Sequence, residues 1–145
     1  MKIKTIFWAL GILAVGLFNQ CKTPIPGPDL NRIWKAQEVK EGATVVYRAG
    51  SAGNVYPGYS NYRMKFGVAS IEFTELSGEK FAGTWVLTDD NSKLTFNGLM
   101  PIPYGTGGTI EFTLVRWEAN KLVLRRETPN HKTGGTLNEY TLIPE

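Results

Sequence analysis

Apolar and polar residues alternate along the chain from Leu30 onward. The apolar positions are rich in β-branched and aromatic residues, and a period of two with this composition is typical of half-buried β-strands. Such runs occur at 33–41, 43–49, 62–66, 71–73, 81–87, 94–96, 110–114, 122–124 and 140–142. No long segment shows the helical period of 3.6 residues. The pattern therefore predicts an all-β domain.

Short turn signals separate these runs. Turn-forming residues such as Gly, Asn, Asp and Ser occur at 76–79, 89–92, 118–120 and 132–135. Short links join antiparallel neighbours, so we expect an antiparallel meander of about eight strands. Closure into a small eight-stranded barrel would hide the edges of the sheet. A two-sheet β-sandwich is the alternative, because the sequence does not show whether the first and last strands pair.

The first twenty residues have the pattern of an export signal. Lys2 and Lys4 precede a run of 13 apolar or Gly residues, from Ile6 to Phe18. This run is shorter than the roughly 20 residues of a membrane span and fits the hydrophobic region of a secretory signal. Cys21, the only Cys, follows three residues later. We predict a lipoprotein signal peptide at 1–20 and a lipid, with acyl chains such as palmitate, on Cys21. Cleavage nearby by an ordinary signal peptidase is the alternative.

The mature chain divides into a tether and one domain. Residues 21–29 contain three Pro, which favour an extended spacer, and residues 30–145 form the expected β-domain. Loss of Lys2 and Lys4 leaves 14 basic against 13 acidic residues. The mature chain is therefore nearly neutral and lacks the basic footprint of a nucleic-acid-binding protein.

The strand pattern resembles the lipocalin-like domain of Bacteroidota lipoproteins over residues 30–143. The similarity lies in Ile33-Trp34-Lys35, Gly83-Thr84-Trp85-Val86-Leu87, Leu94-Thr95-Phe96, Leu122-Val123-Leu124 and Glu139-Tyr140-Thr141-Leu142. True lipocalins carry Gly two positions before the first-strand Trp, whereas Arg32 stands there in this chain. The resemblance implies a small eight-stranded barrel in a lipid-anchored envelope protein, with a small cavity or a filled core.

No combination of residues indicates catalysis. The chain has no G-x-S-x-G nucleophile motif, and its single His, His131, lies in a polar turn without a motif that supplies a partner. Asp89 and Asp90 are adjacent, whereas glycosidase carboxylates occupy separate positions that flank the scissile bond. One His and one Cys also exclude the usual zinc sites. We predict no enzyme activity, no metal and no cofactor.

Two loops are long for a compact domain and rich in apolar or aromatic residues. Residues 50–61 hold Tyr56 and Tyr59, and residues 97–108 hold Met100, Ile102 and Tyr104. Because long loops often carry function, we expect these five residues at the mouth of a ligand site, with Trp85 inside the barrel. The alternative is that the apolar and aromatic side chains of the loops plug one end of the barrel as part of the core. The first functional hypothesis is a non-enzymatic envelope lipoprotein that binds a small hydrophobic or amphiphilic ligand. The second is a structural or interaction module with a filled core, whose aromatic loops bind a protein or a glycan.

The expected location is the outer membrane. Lys22 stands where some inner-membrane lipoproteins carry Asp, and no acidic run of the kind that directs surface export follows Cys21. We expect a monomer that is anchored through Cys21 and faces the periplasm. Exposure at the cell surface and soluble export are the alternatives.

Overall fold

The computed structural model describes residues 26–145. The predicted signal peptide, Cys21 and the start of the tether lie outside the described residues. Nine antiparallel strands dominate the described part: β1 Ile33–Glu41, β2 Thr44–Arg48, β3 Arg63–Phe66, β4 Ser70–Thr74, β5 Lys80–Leu87, β6 Lys93–Met100, β7 Ile110–Glu118, β8 Lys121–Arg126 and β9 Asn138–Pro144. Two short 3₁₀ segments, Pro57–Asn61 and His131–Thr133, lie in the connections. Between residues 26 and 145, no helix is long and apolar enough to cross a membrane.

The sheet closes on itself through β1. One edge of β1 pairs with β9, from Trp34 opposite Pro144 to Glu41 opposite Asn138. The other edge pairs with β3 near the start of β1 and with β2 near its end, and the later strands pair in chain order. Eight strands, β1 and β3 to β9, thus form a closed barrel, while β2 continues the wall beyond β3. The predicted barrel is confirmed, and pairing of the first and last strands excludes the sandwich.

The two ends of the barrel are closed by different segments. The N-terminal pole holds the segment 26–32 and the turns 67–69, 88–92 and 119–120. The far pole holds the turns 42–43 and 75–79, the loops 101–109 and 127–137, and the segment Pro57–Asn61. At the N-terminal pole Leu30 is buried, and its carbonyl accepts a hydrogen bond from Trp34 Nε1 at 3.2 Å. The segment 26–32 therefore covers the end of the barrel at which β1 begins.

Aromatic side chains pack the interior. Tyr62 and Tyr140 stack with their ring centroids 4.6 Å apart. Phe96 lies 5.8 Å from Phe73 and 5.1 Å from Phe112, and all five rings are fully buried. Rings at these separations are in direct contact. The middle of the barrel, as far as the described residues form it, is therefore a packed core and not an open ligand cavity.

Candidate functional site

The far pole carries an exposed apolar loop. β6 runs to Met100, three residues past the predicted start of the loop at Asn97, and Leu99 on this extension is buried. Met100, Ile102 and Tyr104 are 62, 59 and 77% exposed. We call these three residues the apolar tip. Large apolar side chains at such exposure on one loop are typical of an interaction site.

Hydrogen bonds fix the shape of this loop. The Leu99 N–H donates to Gly108 O at 3.0 Å, which closes the base. The Thr106 hydroxyl donates to Pro103 O at 2.8 Å and accepts from the Gly108 N–H at 3.1 Å. The ring of Tyr104 meets His131 edge-on, with the centroids 5.7 Å apart. The apolar tip is thus presented by an ordered loop.

The predicted residues of the first long loop lie elsewhere. Tyr56 is partly exposed beside β2, and its N–H donates to Val46 O at 3.1 Å. Three strands separate β1 from β6 in either direction around the barrel, so the strand that pairs with β2 beside Tyr56 and the strand that leads into the apolar tip are not neighbours. Tyr59 is fully buried. The structure therefore does not bring the five predicted mouth residues together.

Tyr59 closes the far pole from the inside. Its hydroxyl donates to Glu41 Oε1 at 3.4 Å and accepts from Asn138 Nδ2 at 3.1 Å. Its ring lies 6.1 Å from the ring of Tyr47 and 6.2 Å from that of Tyr140. Contrary to the expectation of a residue at a mouth, Tyr59 belongs to the core. Sequence position in a long loop did not reveal that the Pro57–Asn61 segment folds inward.

Trp85 is partly buried and packs against the core near the N-terminal pole. It pairs with Phe96, which faces the interior. Its Nε1 donates to Gly67 O at 2.9 Å, and its ring meets Phe66 edge-on at 5.4 Å. Because Gly67 belongs to the turn 67–69, Trp85 is remote from the apolar tip and cannot share a site with it.

A buried ion pair that the sequence pattern did not reveal spans the barrel at the far pole. Glu75 follows β4 and Arg126 ends β8, and three strands separate β4 from β8 in either direction. Arg126 Nη1 lies 3.3 Å from Glu75 Oε1, and both residues are nearly inaccessible to solvent. Arg126 Nε also donates to Thr128 O at 2.8 Å. The pair therefore links opposite walls across the end of the barrel.

Lys132 extends this ion pair to the surface. Its Nζ lies 2.9 Å from Glu75 Oε2 and also contacts the carboxylate of Glu79. Partial burial lowers the pKa of Lys132, but hydrogen bonds with Glu79 and Glu75 outweigh this effect, so the pKa lies above its usual value. The loop that carries Lys132 is thus held against the turn 75–79 by charge.

Burial holds the three phenols of the core in their neutral form. Burial raises the pKa of Tyr59, Tyr62 and Tyr140 above the usual phenol value, so all three stay neutral over the physiological range. The hydroxyl of Tyr62 makes no hydrogen bond within the described part of the chain. Over the same residues, no cluster of three or more His, Cys, Asp or Glu could hold a metal ion.

A cleft of about 460 Å³ lies outside the core at the N-terminal pole. The segment 27–29 forms one side, and the end of β7 with the turn 119–120 forms the other. Arg32 and Trp117 complete the lining. The sequence pattern gave no sign of this cleft, because its two sides are about ninety residues apart in the chain.

Comparisons with known proteins identify the fold. No family model matches the chain, and no curated protein sequence matches it. Among solved structures, a lipocalin-like protein from Bacteroides uniformis superposes with a TM-score of 0.54 and 14% identity, covering 81% of this chain and 99% of that one. An uncharacterized protein from Bacteroides eggerthii superposes with a TM-score of 0.53 and 16% identity, covering 81% and 100%. At this identity the likeness concerns the fold, and the predicted resemblance is confirmed at that level: the chain forms a lipocalin-like β-barrel.

Proposed function

We propose that the protein is a non-enzymatic lipoprotein of the cell envelope, whose filled barrel presents the apolar tip to a partner protein. The observation that carries this proposal is the contrast between interior and surface. The interior is packed with aromatic rings and crossed by an ion pair, whereas Met100, Ile102 and Tyr104 are exposed on an ordered loop. A filled barrel with an exposed apolar loop suits recognition at its surface.

The order of the loop favours this function. Binding costs less conformational entropy when the contacting side chains are already held in place, and the hydrogen bonds of Thr106 and Gly108 hold this loop. Aromatic and aliphatic side chains that enter a partner's pocket provide most of the affinity in protein interfaces. Tyr104 and Ile102 are suited to that role.

Anchoring through Cys21 completes the proposal. The described chain begins at residue 26, at the N-terminal pole, and the apolar tip lies at the far pole. A lipid on Cys21 would place the N-terminal pole next to the outer membrane and direct the apolar tip away from it, into the periplasm. At the cell surface, the lipid would insert into the opposite leaflet of the outer membrane, and the apolar tip would still point away from the membrane.

The anchor is tested by fractionation. The wild-type chain should sediment with membranes, and the Cys21→Ala chain should appear in the soluble fraction. A Cys21→Ala chain that stays with the membranes at the wild-type level would contradict lipidation as the tether.

The apolar tip is tested by photocrosslinking in intact cells. A benzoylphenylalanine residue at position 102 should give one adduct of discrete mass, and a Tyr104→Ser substitution in the same chain should abolish it. The matched control is the same residue at position 115, because Val115 is also exposed but lies on the barrel wall. Equal labelling from both positions, or no adduct from position 102, would refute the proposed interface.

A second candidate function is binding of a small amphiphile at the far pole. The observation in its favour is the lipocalin-like fold, because an eight-stranded barrel can hold one small ligand. The interior would have to open beside Tyr62, which is fully buried between Phe73 and Tyr140. Native mass spectrometry of protein purified from its own membrane decides between the two. A co-purified mass that disappears in the Tyr62→Phe chain would favour the carrier, and protein at its bare mass would favour the interaction module.

A further inference from the structure

We propose that the cleft at the N-terminal pole binds the ring of a neutral sugar, with Trp117 as its platform. The cleft is separate from the apolar tip, which lies at the opposite end of the barrel. Its volume of about 460 Å³ falls in the range of small-molecule sites. Its lining combines one large aromatic surface with a few polar side chains, which is the composition that such sites share.

A strand irregularity brings Trp117 to the cleft. The register of β7 on β8 shifts between Leu114 and Arg116. After the shift, Trp117 lies opposite Leu122, whose side chain is buried in the barrel. Trp117 therefore lies on the side of the sheet that faces the barrel interior. At this position, however, β7 extends beyond the packed core. The indole is left 39% exposed at the edge of the cleft.

The charges around the cleft are already paired. Arg32 Nη2 lies 2.9 Å from Asp29 Oδ2. Glu118 Oε1 lies 2.8 Å from Arg116 Nη2. A ligand with a net charge would find no unpaired counter-charge among these four groups. The electrostatics of the site thus favour a neutral ligand over a phosphate, a carboxylate or an ammonium group.

The guanidinium of Arg32 is held in a fixed position beside the cleft. Arg32 Nη1 donates to Ala119 O at 3.3 Å, and the guanidinium lies 5.5 Å from the ring centroid of Trp34. With its bond to Asp29, Arg32 therefore ties the segment 27–32 to the turn 119–120. Asn120 adds an amide that can both donate and accept hydrogen bonds. Groups that are already ordered bind a ligand at low entropic cost.

These features fit the two sides of a sugar ring. A pyranose has a face of C–H groups, which packs on an indole, and an edge of hydroxyls, which donate to carboxylates and amide oxygens and accept from amide N–H groups. A purely apolar ligand would bury the amide of Asn120 without hydrogen bonds, and a buried polar group left unpaired is costly. The combination therefore selects a neutral, polyhydroxylated ring.

The experiment is a titration of the full chain, purified in a detergent that contains no sugar, with neutral trisaccharides of glucose, mannose, galactose and N-acetylglucosamine. Saturation-transfer NMR should detect binding of at least one probe. Trp117→Ala should weaken that binding roughly tenfold or more, and Trp117→Phe should restore part of it. Val115→Ala, an exposed apolar residue of the same strand outside the cleft, should leave binding within about twofold of the wild type.

Three outcomes would overturn the proposal. One is the lack of saturation transfer from every probe at about 10 mM, a concentration that detects millimolar affinity. Another is binding that Trp117→Ala does not weaken. The third is preferential binding of inorganic phosphate or octanoate, which would contradict the argument from paired charges. If the Trp117→Ala chain does not fold, Asn120→Ala in the exposed turn provides the same test, with an expected loss of about threefold or more.

Discussion

At the scale of single residues, charge replaces apolar packing at one end of the core. Ile71, Phe73 and Glu75 follow one alternation along β4, and Leu122, Leu124 and Arg126 follow another along β8. In each series the last inward position is charged. A charge can be buried only when it is paired and hydrogen-bonded, and each of these two charges is the partner of the other across the barrel.

Removal of Arg126 should therefore destabilise the protein strongly. Arg126→Met leaves Glu75 buried without the guanidinium, and loss of one partner of a buried pair costs about 3–5 kcal/mol. Urea unfolding followed by tryptophan fluorescence measures the change. The double variant Arg126→Met with Glu75→Leu should recover most of the loss, because no unpaired charge remains. A single variant that costs less than about 1 kcal/mol would show that Lys132 alone satisfies Glu75.

The turn 88–92 contains a carboxylate that stabilises the fold in a pH-dependent way. The Thr88 hydroxyl and the Ser92 hydroxyl and N–H all donate to Asp90 Oδ1, at 2.7, 2.8 and 3.1 Å. These bonds, the one from Thr88 first, lower the pKa of Asp90 to about 2. The unfolded value is about 3.9, so the stabilisation is complete above that pH and is lost as the pH falls through about 2.

Asp90→Ala should accordingly lower the melting temperature at pH 7, and the difference from the wild type should shrink below pH 4 and be mostly lost at about pH 2. Thermal melts monitored by circular dichroism across this range measure the effect. Asp89→Ala is the matched control, because the neighbouring carboxylate accepts none of these three bonds. A difference that is constant from pH 7 to pH 2 would contradict the role of the ionised carboxylate.

At the scale of elements, the positions of the strands can be predicted from the sequence. The residues at which a strand ends, or at which its inward–outward alternation shifts, cannot. Alternation is visible wherever one face of a strand is buried, which is why each of the nine strands overlaps one of the alternating runs, although the sequence predicts only about eight strands. β6 extends past the predicted start of the loop because Gly98, at φ +60°, shifts the alternation of inward and outward side chains. Phe96 and Leu99 are therefore both buried, although they are three positions apart. The shift after Leu114 likewise turns Trp117 inward. Such irregularities depend on pairing with the neighbouring strand, which a single sequence does not reveal.

The candidate sites were predictable to a smaller extent. The apolar tip follows from composition, since three large apolar residues in one loop stand out. Tyr59 was misplaced because burial depends on how the Pro57–Asn61 segment folds over the barrel end. Glu75 and Arg126, by contrast, continue the alternation of their strands and could have been recognised as inward-facing. Their pairing could not, because it depends on closure of the barrel.

The contact between β5 and β6 requires glycine at position 83. A Cβ there would lie 2.5 Å from Asn97 O and 3.2 Å from the Gly98 carbonyl carbon. Gly83→Ala should therefore force the two strands apart and cost about 1–3 kcal/mol. Gly53→Ala is the matched control, because a Cβ at position 53 would meet nothing within 4 Å and the φ of Gly53 is not left-handed. Equal unfolding free energies for the two variants would contradict the close approach.

At the scale of the whole molecule, the two ends of the barrel differ, and the proposed anchor on Cys21 therefore predicts which end lies nearer the membrane. Residue 26 and the turn 67–69 lie at the N-terminal pole, and the apolar tip lies at the far pole. Residue 26 lies five positions after Cys21, a stretch that spans at most about 18 Å when extended. A nine-residue strand such as β1 is about 30 Å long. The two poles should therefore lie at clearly different distances from a bilayer that holds a lipid on Cys21.

Energy transfer in lipid nanodiscs measures this difference. With Cys21 lipidated, a donor dye can be attached at Val68→Cys in the turn 67–69, or at Tyr104→Cys in the apolar tip; both side chains are highly exposed. Acceptor-labelled lipid should quench the donor at position 68 more strongly than the donor at position 104. The Cys21→Ala chain should lose transfer at both positions. Because a short tether limits rotation of the barrel relative to the surface, equal transfer from the two positions would mean that the barrel lies on its side. Stronger transfer from position 104 would mean that the apolar tip contacts the lipid and does not face a partner protein.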